Sequence, residues 1–311
     1  MPEAEYSWLP RKDLLTFEEI HTIAAAFARH GVSRVRLTGG EPLLRRGLHQ
    51  LIGWLVAVEG IEDVALTTNG ILLADLAPAL RDAGLHRLTV SLDTLRPDRF
   101  RELTRFDSLE AVLTGIEAAR SAGFQGTKID TVVMRGFNDD ELLPLLEFGR
   151  THDAEVRFIE YMDVGGATQW TPEKVLGRAE ILERVARELG AVTPLDGRGS
   201  APAERFATAD GTTFGIIAST TSPFCDRCDR SRLTADGLWY LCLYAENGCD
   251  LRSALRRAGR VEDVDALIDQ VWSRRTDRGA EERLRVRDRG ILHPNAKLSG
   301  DPHLEMHTRG G

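Results

Sequence analysis

Three cysteines in the last third of the chain have a spacing typical of ligands to an iron-sulfur cluster. Cys225 and Cys228 form a Cys-x2-Cys pair, and Cys242 follows on the far side of an Asp-Gly turn at residues 236–237. A cluster held by three cysteines leaves one iron open to a substrate, whereas a structural zinc site usually closes with four ligands. The trio therefore indicates a metal centre that takes part in chemistry.

A four-cysteine zinc site is the main alternative, because Cys249 follows Cys242 closely. Against zinc, Cys249 directly precedes a predicted helix over residues 250–257, where a buried thiol would behave as a small apolar residue. Disulfide bonds are less favoured still. We expect no signal peptide, and a compact Cys-x2-Cys pair in a chain of this length is typical of metal binding in a reducing compartment, so we expect a cytoplasmic protein.

The composition is that of an ordinary globular protein with an acidic balance. The chain has 311 residues, of which 42% are hydrophobic and 28% are charged, and its net charge is -8 at pH 7. This balance argues against broad nucleic-acid binding, and the longest apolar stretch, around residues 52–58, is far too short to cross a membrane. Any anion that the protein binds therefore needs a local pocket of Arg and Lys side chains.

The elements that must position a site come from an alternation of helical and strand patterns between residues 16 and 190. A capping box at residues 16–19 opens the first helix. The predicted strands, each preceded by an amphipathic helix, cover residues 32–38, 63–68, 87–92, 128–134 and 155–162. Parallel strands joined by helices bury both faces, so this pattern predicts either a doubly wound sheet or a closed or partly closed barrel.

Polar residues follow the predicted strands at their carboxyl ends, at residues 38–41, 67–70, 91–93 and 160–163. Each group alone is explained by a tight turn. In βα architectures, however, this rim is where ligands bind, so the groups together predict a binding site. Gly39 and Gly40 would let the backbone approach a ligand closely, and the Glu41 carboxylate could take an ammonium group.

A second module is predicted after residue 190, where the regular βα spacing stops. It contains short strands, a hairpin turn at residues 210–211, the cysteine segment, and two helices that start at Asp250 and Val261. We therefore divide the chain into a βα barrel domain over residues 1–190 and a cluster-binding module over residues 191–311.

Several of these motifs, in the same order, resemble the GTP 3′,8-cyclase family, radical S-adenosylmethionine (SAM) enzymes that open molybdenum cofactor biosynthesis. They are the Gly-Gly-Glu-Pro turn at 39–42, Thr-Thr-Asn-Gly at 67–70, Val-Ser-Leu-Asp at 90–93, Thr-Val-Val-Met at 131–134, the segment 157–165, the cysteine run, and the paired glycines 310–311. The resemblance implies an α/β fold: an incomplete (βα)6 radical SAM barrel missing its first strand, with a C-terminal α+β cluster-binding module.

The resemblance also implies roles for individual residues. Contacts to SAM would come from Gly39, Gly40, Glu41, Ser91 and Met162. Contacts to GTP would come from Arg36, Thr67, Lys128, Arg157, Arg230 and Arg232. The ligands of a C-terminal 4Fe-4S cluster would be Cys225, Cys228 and Cys242.

The reaction implied by the resemblance starts with reductive cleavage of SAM to a 5′-deoxyadenosyl radical, which takes hydrogen from C3′ of the GTP ribose. The sugar radical then attacks C8 of guanine, giving 3′,8-cyclo-7,8-dihydroguanosine 5′-triphosphate. The implied partners are GTP, SAM, an electron donor and a downstream cyclic pyranopterin monophosphate synthase, with no nucleic acid and no membrane; a homodimer is compatible with the family.

One expectation concerns the start of the chain. Family members hold a SAM-binding cluster in a Cys-x3-Cys-x2-Cys loop that ends just before the segment matching residues 1–10, and the first cysteine here is Cys225. We therefore expect the chain as given to lack that loop and to be inactive unless extended upstream, with a second 4Fe-4S cluster only in the extended form. Either Met1 is an internal methionine of a complete cyclase, or the chain is a truncation that keeps a nucleotide-binding half.

Two non-catalytic functions are the alternatives to a cyclase. The first is a nucleotide-binding or cluster-carrying remnant, and the second is a zinc-binding interaction module. The sequence also departs from the family pattern at Asp229, at Cys249 and in the tail over residues 304–309. None of these departures removes a predicted cluster ligand, but the tail puts the role of the terminal glycines in question.

Overall fold

The computed structural model describes residues 7–258 and 261–310. Within these ranges, one mixed sheet is built from β1 (Arg34–Leu37), β2 (Asp63–Thr68), β3 (Arg87–Ser91), β4 (Thr127–Val133), β5 (Ala154–Glu160), β6 (Val192–Pro194), β7 (Glu204–Thr208) and β8 (Thr213–Ile217). Its strand order is β1-β2-β3-β4-β5-β8-β7-β6. Pairing is parallel from β1 to β5 and between β5 and β8, and antiparallel in the β8-β7-β6 segment.

The helices of the first part of the chain are α1 (Phe17–Arg29), α2 (Leu48–Val56), α3 (Leu73–Asp82), α4 (Pro97–Thr104), α5 (Leu109–Ser121), α6 (Leu142–Thr151) and α7 (Arg178–Leu189). The predicted capping box is confirmed at α1. Thr16 Oγ1 accepts from the backbone N–H of Glu19 at 3.2 Å, and Glu19 Oε2 accepts from the N–H of Thr16 at 2.8 Å. These bonds satisfy two donors that a helix start leaves unpaired, so α1 begins where the sequence predicts.

The second part of the chain contains a small antiparallel sheet and five further helices. The strands are β9 (Arg232–Leu233), β10 (Leu238–Tyr240) and β11 (Cys249–Asp250), with β10 in the centre. The helices are α8 (Leu251–Ala258), α9 (Val261–Trp272), α10 (Gly279–Leu284), α11 (Asn295–Gly300) and α12 (Met306–Arg309). The predicted hairpin turn at residues 210–211 joins β7 to β8, and Gly211 there has φ +86°.

The two faces of the parallel sheet differ in polarity, and this difference distinguishes the fold from a doubly wound sheet. One face is apolar and buries its side chains under the helices; it includes Val64, Leu66, Leu88, Val90, Ile129, Val133, Val156 and Phe158. The other face is polar, because the register aligns Thr67 with Thr89, Thr89 with Lys128, and Asp130 with both Ser91 and Arg157. Side chains of one strand alternate between faces, so the polar set lies on the face opposite the apolar one.

The five predicted βα strands are confirmed, with ends that differ by a few residues from the prediction. The first begins at Arg34 rather than at residue 32, and it lies at an edge of the described sheet. The division at residue 190 stays a prediction. The large sheet itself continues past that residue, since β8 pairs parallel with β5.

A second apolar core joins the small sheet to the start of the chain. Trp239 packs there with Leu15 and Ile23 from the first part and with Leu251 and Ile268 from α8 and α9. In the described ranges, the structure contains no helix that is long and apolar enough to cross a membrane.

Candidate functional site

The turn that follows β1 is held in place by a carboxylate. Glu41 Oε1 accepts from the Leu43 N–H at 2.9 Å and from Thr68 Oγ1 at 2.8 Å, and Glu41 Oε2 accepts from the Asn69 N–H at 2.7 Å. The predicted SAM contact Glu41 therefore also joins the carboxyl ends of β1 and β2. Gly39 in this turn has φ +137°, a conformation that favours glycine.

The predicted GTP contacts Arg36 and Thr67 lie together on the polar face. Arg36 Nη1 donates to Thr67 Oγ1 at 2.8 Å and to Thr89 Oγ1 at 3.0 Å. Two neighbouring strands thus hold one guanidinium, and Arg36 remains exposed to solvent. Thr89, which is buried, was not identified from the sequence because nothing in its immediate neighbours marks it.

Lys128 and Arg157 lie further along the same face, on β4 and β5. Burial, assisted by the nearby cations Arg157 and Arg87, lowers the pKa of Lys128 to about 8. Arg157 is oriented by Glu155, whose Oε1 accepts from Arg157 Nε and Nη2 at 3.1 Å. Beyond the effect of burial, Arg157 and Arg87 lower the pKa of both Lys128 and Arg36, so the cations of this face destabilise one another.

A carboxylate that the sequence analysis missed lies among these cations. Asp130 pairs in register with both Ser91 and Arg157, and its Oδ1 is buried, with no hydrogen-bond donor among the residues that the structure describes. Burial raises the pKa of Asp130, while Arg157 and Arg36 oppose that rise. Its signal in the sequence is the two-residue spacing from Lys128, which puts both side chains on one face.

The remaining predicted SAM contacts lie at the carboxyl ends of β3 and β5. Ser91 is the last residue of β3 and is exposed, and Met162 follows the end of β5 by two residues and is partly buried. The structure therefore brings both residues to the edge of the sheet that also carries the Gly39-Gly40 turn.

Cys225 and Cys242 meet at the first residues of α10. The Cys225 thiol accepts hydrogen bonds from the backbone N–H groups of Ala280 and Glu281, and its pKa is raised by burial against the effect of those bonds. A Cβ placed on Gly279 would lie 2.4 Å from Tyr244 Cβ and 3.1 Å from Cys242 Sγ. The start of α10 therefore packs against Tyr244 and this thiol at a distance that only glycine allows.

Cys228 is held by two arginines. Arg230 Nη2 and Arg275 Nη2 each lie 3.6 Å from Cys228 Sγ, and Arg275 Nη2 also donates to the carbonyl oxygen of Leu241 at 3.0 Å. Burial would raise the pKa of Cys228, but the charge and hydrogen bond of Arg230, with that of Arg275, lower it. The chain thus stabilises a thiolate, the form that binds metal.

Arg232 is the predicted nucleotide contact that interacts with both of these thiols. Its pKa is lowered to about 10 by burial and by Arg230, and the Cys242 and Cys228 thiols act in the opposite direction. The structure thus brings Arg230 and Arg232, two of the predicted GTP contacts, together beside the cysteines.

Two buried carboxylates attach the cysteine segment to the end of β5. Glu160 Oε2 accepts from the backbone N–H groups of Thr220 and Thr221 at 2.9 and 2.7 Å. Asp163 accepts from Arg289 Nη2 at 2.9 Å, from Arg283 Nε at 2.8 Å and from the Tyr244 hydroxyl at 3.1 Å. Burial would raise the pKa of Asp163, but the hydrogen bonds from Arg289 and Arg283 keep it below its usual value.

The donor set of three thiols fits a 4Fe-4S cluster. In the described part of the chain, no group of three His, Cys, Asp or Glu side chains is placed to hold a single metal ion. Cys249 instead pairs with Trp239 across β10 and β11 and packs into the second apolar core, as predicted for a small apolar side chain. Three thiols near arginines suit a cluster, because each cysteine ligand binds a different iron and the arginines compensate the negative charge. All four cysteines are free.

The C-terminal tail crosses the rim that carries the Gly39-Gly40 turn. A Cβ on Gly310 would lie 2.4 Å from Thr38 Cγ2, and a Cβ on Gly165 would lie 2.3 Å from Met306 Cγ. The ring of His307 packs on Trp8 with centroids 4.5 Å apart, and Trp8 in turn contacts Gly40. Gly311, the second of the paired glycines, lies outside the described residues.

Comparisons with known proteins show the family of the chain. The Radical SAM superfamily model matches residues 4–149, and the Molybdenum Cofactor Synthesis C model matches residues 154–281. A GTP 3′,8-cyclase 1 of Mycobacterium tuberculosis is 56% identical over 100% of this chain and 88% of its own length. A GTP 3′,8-cyclase of Aquifex aeolicus is 44% identical over 92% of this chain and 87% of its own length.

A solved structure of methylornithine synthase is 18% identical, has a TM-score of 0.45, and covers 55% of this chain and 52% of that chain. The sequence relatives match nearly the whole chain at high identity, and the two family models together span most of it. The chain belongs to the GTP 3′,8-cyclase family of radical SAM enzymes.

Proposed function

We propose that this protein converts GTP to 3′,8-cyclo-7,8-dihydroguanosine 5′-triphosphate, in molybdenum cofactor biosynthesis. The observation that carries the proposal is the arrangement of three thiols, Cys225, Cys228 and Cys242, beside Arg230 and Arg232. This group is attached through Asp163 to the end of β5, next to a sheet face lined by cations. A nucleotide could then reach the cluster and the sheet interior at once.

For GTP, the proposed contacts are Arg36, Thr67, Lys128, Arg157, Arg230 and Arg232. The cations of the sheet face balance the charge of the triphosphate in a protein that is acidic overall. Lys128, whose pKa is about 8, would regain a stable charge beside a phosphate, since an opposite charge favours the protonated form. Arg36 is preorganised by its two threonine partners, which reduces the cost of ordering it on binding.

For SAM, the proposed contacts are Gly39, Gly40, Glu41, Ser91 and Met162. The Glu41 bonds to Leu43, Thr68 and Asn69 keep the glycine turn in one conformation, so its backbone can serve as a fixed binding surface. Ser91 and Met162 would border the same ligand from the neighbouring strands. The role of this chain is to orient two substrates and to exclude water between them.

The proposed ligands of a 4Fe-4S cluster are Cys225, Cys228 and Cys242. When bound, such a cluster with three cysteine ligands supplies an open iron to which a substrate base can coordinate. The arginines at Cys228, which stabilise its thiolate form, are the feature of this chain that suits the group. That a second, SAM-binding cluster occurs only in an upstream-extended form stays a prediction.

An electron donor, a downstream cyclic pyranopterin monophosphate synthase, a homodimer and a cytoplasmic location also belong to this proposal. The free state of all four cysteines supports a reducing compartment.

An anaerobic assay tests the proposal. The given chain and a form extended upstream are reconstituted with iron and sulfide, and each is incubated with GTP, SAM and a strong reductant. We expect about four irons per given chain and about eight per extended chain, and cyclised nucleotide from the extended form. An extended form that cleaves SAM but leaves GTP unchanged would show that the substrate is wrong. Zinc without sulfide in either form would exclude the cluster.

A further inference from the structure

Arg309, in the C-terminal tail, is buried beside the cysteines although the sequence analysis gives it no role. Only 4% of its surface is exposed. Its Nη1 donates to the carbonyl oxygen of Leu243 at 2.7 Å, its Nε donates to the carbonyl oxygen of His303, and its guanidinium carbon lies 4.3 Å from the centroid of the Tyr240 ring. These contacts fix the guanidinium next to Cys242, the residue before Leu243.

One donor of this guanidinium is not used. Arg309 Nη2 is buried and has no hydrogen-bond acceptor within the ranges that the structure describes. A buried cationic donor without an acceptor is costly, so such a group usually faces a ligand that supplies one. The groups that act electrostatically on the Arg309 guanidinium are, in decreasing order, Tyr240, Asp301 and the Cys242 thiol. Because Arg309 Nη1 already contacts the residue after Cys242, a cluster at Cys242 would supply an acceptor to Nη2.

The carbonyl groups on either side of Cys242 are each held by an arginine. Leu241 accepts from Arg275, and Leu243 accepts from Arg309. Arg275 also contacts a cysteine sulfur, that of Cys228. Arg309 contacts the carbonyl on the other side of Cys242, and its Nη2, which has no acceptor among the described residues, could likewise donate to a sulfur atom.

The segment that carries Arg309 is itself held on the cysteine module. His303 contacts Asp236 Oδ2 through Nε2 at 2.8 Å and Asp301 Oδ1 through Nδ1 at 2.9 Å. Asp236 belongs to the turn between Cys228 and Cys242 and also accepts from Thr234 Oγ1 at 2.6 Å. The same tail reaches the sheet rim at Thr38 through Gly310. The position of Arg309 thus depends on the tail being seated on both parts of the protein.

We propose that Arg309 donates a hydrogen bond to the sulfur atoms of the cluster at Cys225, Cys228 and Cys242 and compensates its negative charge, so that docking of the tail sets the reduction potential of that cluster. This inference rests on the cluster proposed above. The potential of an iron-sulfur cluster depends on its net charge, its exposure to solvent and the hydrogen bonds to its sulfurs. A buried cation favours the reduced, more negative state and therefore raises the potential.

The experiment compares the cluster potential of the wild type with those of Arg309→Gln and Arg309→Lys in the full chain. Each protein is reconstituted anaerobically with iron and sulfide, and the cluster is followed by electron paramagnetic resonance during a redox titration. Arg287→Gln, at an exposed position, is the control. We expect Arg309→Gln to lower the midpoint potential, Arg309→Lys to stay near the wild type, and Arg287→Gln to have no effect.

The other outcomes are also decisive. Loss of iron in Arg309→Gln but not in Arg309→Lys would support the inference, because it would make the charge a requirement for cluster binding. An unchanged midpoint potential in Arg309→Gln would overturn the inference and leave the proposed function intact. Equal shifts of the potential in Arg309→Gln and Arg309→Lys would do the same, because they would indicate an effect of packing and not of charge. A wild type that retains no iron and sulfide would overturn the cluster itself, and with it this part of the proposed function.

Discussion

Arg275 joins Cys228 to the segment that carries Cys242. Its Nη2 lies 3.6 Å from Cys228 Sγ and 3.0 Å from the carbonyl oxygen of Leu241. One guanidinium therefore holds together two cysteines that are separated by a hairpin in the sequence. It also places positive charge on the thiol that must ionise to bind iron.

The first prediction is that Arg275→Gln weakens cluster binding. The substitution removes the charge next to Cys228 and the bond to Leu241, so we expect reconstituted protein to lose iron at least several-fold faster to a chelator. Loss of iron is followed by the decay of visible absorbance. Arg274→Gln, at the exposed neighbouring position, is the matched control and should retain iron like the wild type. Equal rates for the two variants would mean that Arg275 has no part in holding the cluster.

The second prediction concerns Asp163, which is 1% exposed and accepts hydrogen bonds from two arginines. Asp163→Asn would leave Arg283 and Arg289 without their shared anion. Breaking a buried ion pair from one side costs about 3 kcal/mol or more, so the free energy of unfolding should fall by about that amount. Denaturant titration with circular dichroism measures the change.

A matched control for this substitution is Asp288→Asn, because Asp288 is exposed and adjoins Arg289. We expect it to change stability by less than about 0.5 kcal/mol, as is usual for surface positions. Because Asp163 connects the end of β5 to α10, Asp163→Asn should also weaken iron binding, and Asp288→Asn should not. A stable Asp163→Asn protein with normal iron content would contradict the role given to this carboxylate.

The βα part of the fold could be predicted well because its signals are local. The strand over residues 63–68 has the predicted bounds, and the capping box at Thr16 and Glu19 begins the first helix as expected. Periodicity could not choose between a barrel and a doubly wound sheet, since both bury parallel strands. The polar face of the sheet, with Thr67, Thr89 and Lys128 aligned in register, distinguishes them.

The site was predictable only where its residues lie in recognisable motifs. The cysteines, the glycine turn and the cations on the strands belong to such motifs. Arg275, Asp163 and Arg309 act through partners far away in the sequence, and the segments that carry the two arginines lack a regular pattern. Asp163 lies within a recognised segment, but its partners Arg283 and Arg289 are known only from the folded chain.

The third prediction separates the two kinds of cysteine. Cys242→Ala should abolish binding of the proposed cluster, because it removes one of its three thiol ligands, whereas Cys249→Ala should retain about four irons. Cys249 packs in the second apolar core, so its replacement should instead lower stability by about 1 kcal/mol. Iron and sulfide analysis, together with thermal unfolding, distinguishes these effects. Loss of iron in both variants would make Cys249 a fourth ligand, and zinc without sulfide in the wild type would favour the four-cysteine zinc alternative.

The fourth prediction is a pH dependence of GTP binding that originates at Lys128. Burial and nearby arginines lower the pKa of this side chain to about 8, so in the absence of ligand it loses its charge as the pH rises through that value. A neutral amine attracts phosphate less strongly. GTP affinity should therefore fall about fivefold to tenfold between about pH 7 and about pH 9.5, as measured by calorimetry on the cluster-loaded chain.

Lys128→Arg tests the assignment, because a guanidinium stays protonated over the whole range and should remove most of the pH dependence. Lys12→Arg, at an exposed position, should keep the pH dependence of the wild type. If GTP affinity in Lys128→Arg falls with pH as steeply as in the wild type, another group is responsible.

The same lowered pKa of Lys128 has a consequence for stability in the absence of GTP. Between about pH 8 and about pH 10.4, the Lys128 side chain holds its proton more tightly in the unfolded chain than in the folded one. The contribution of Lys128 to the free energy of unfolding should therefore rise with pH over this range, and Lys128→Met should remove that rise.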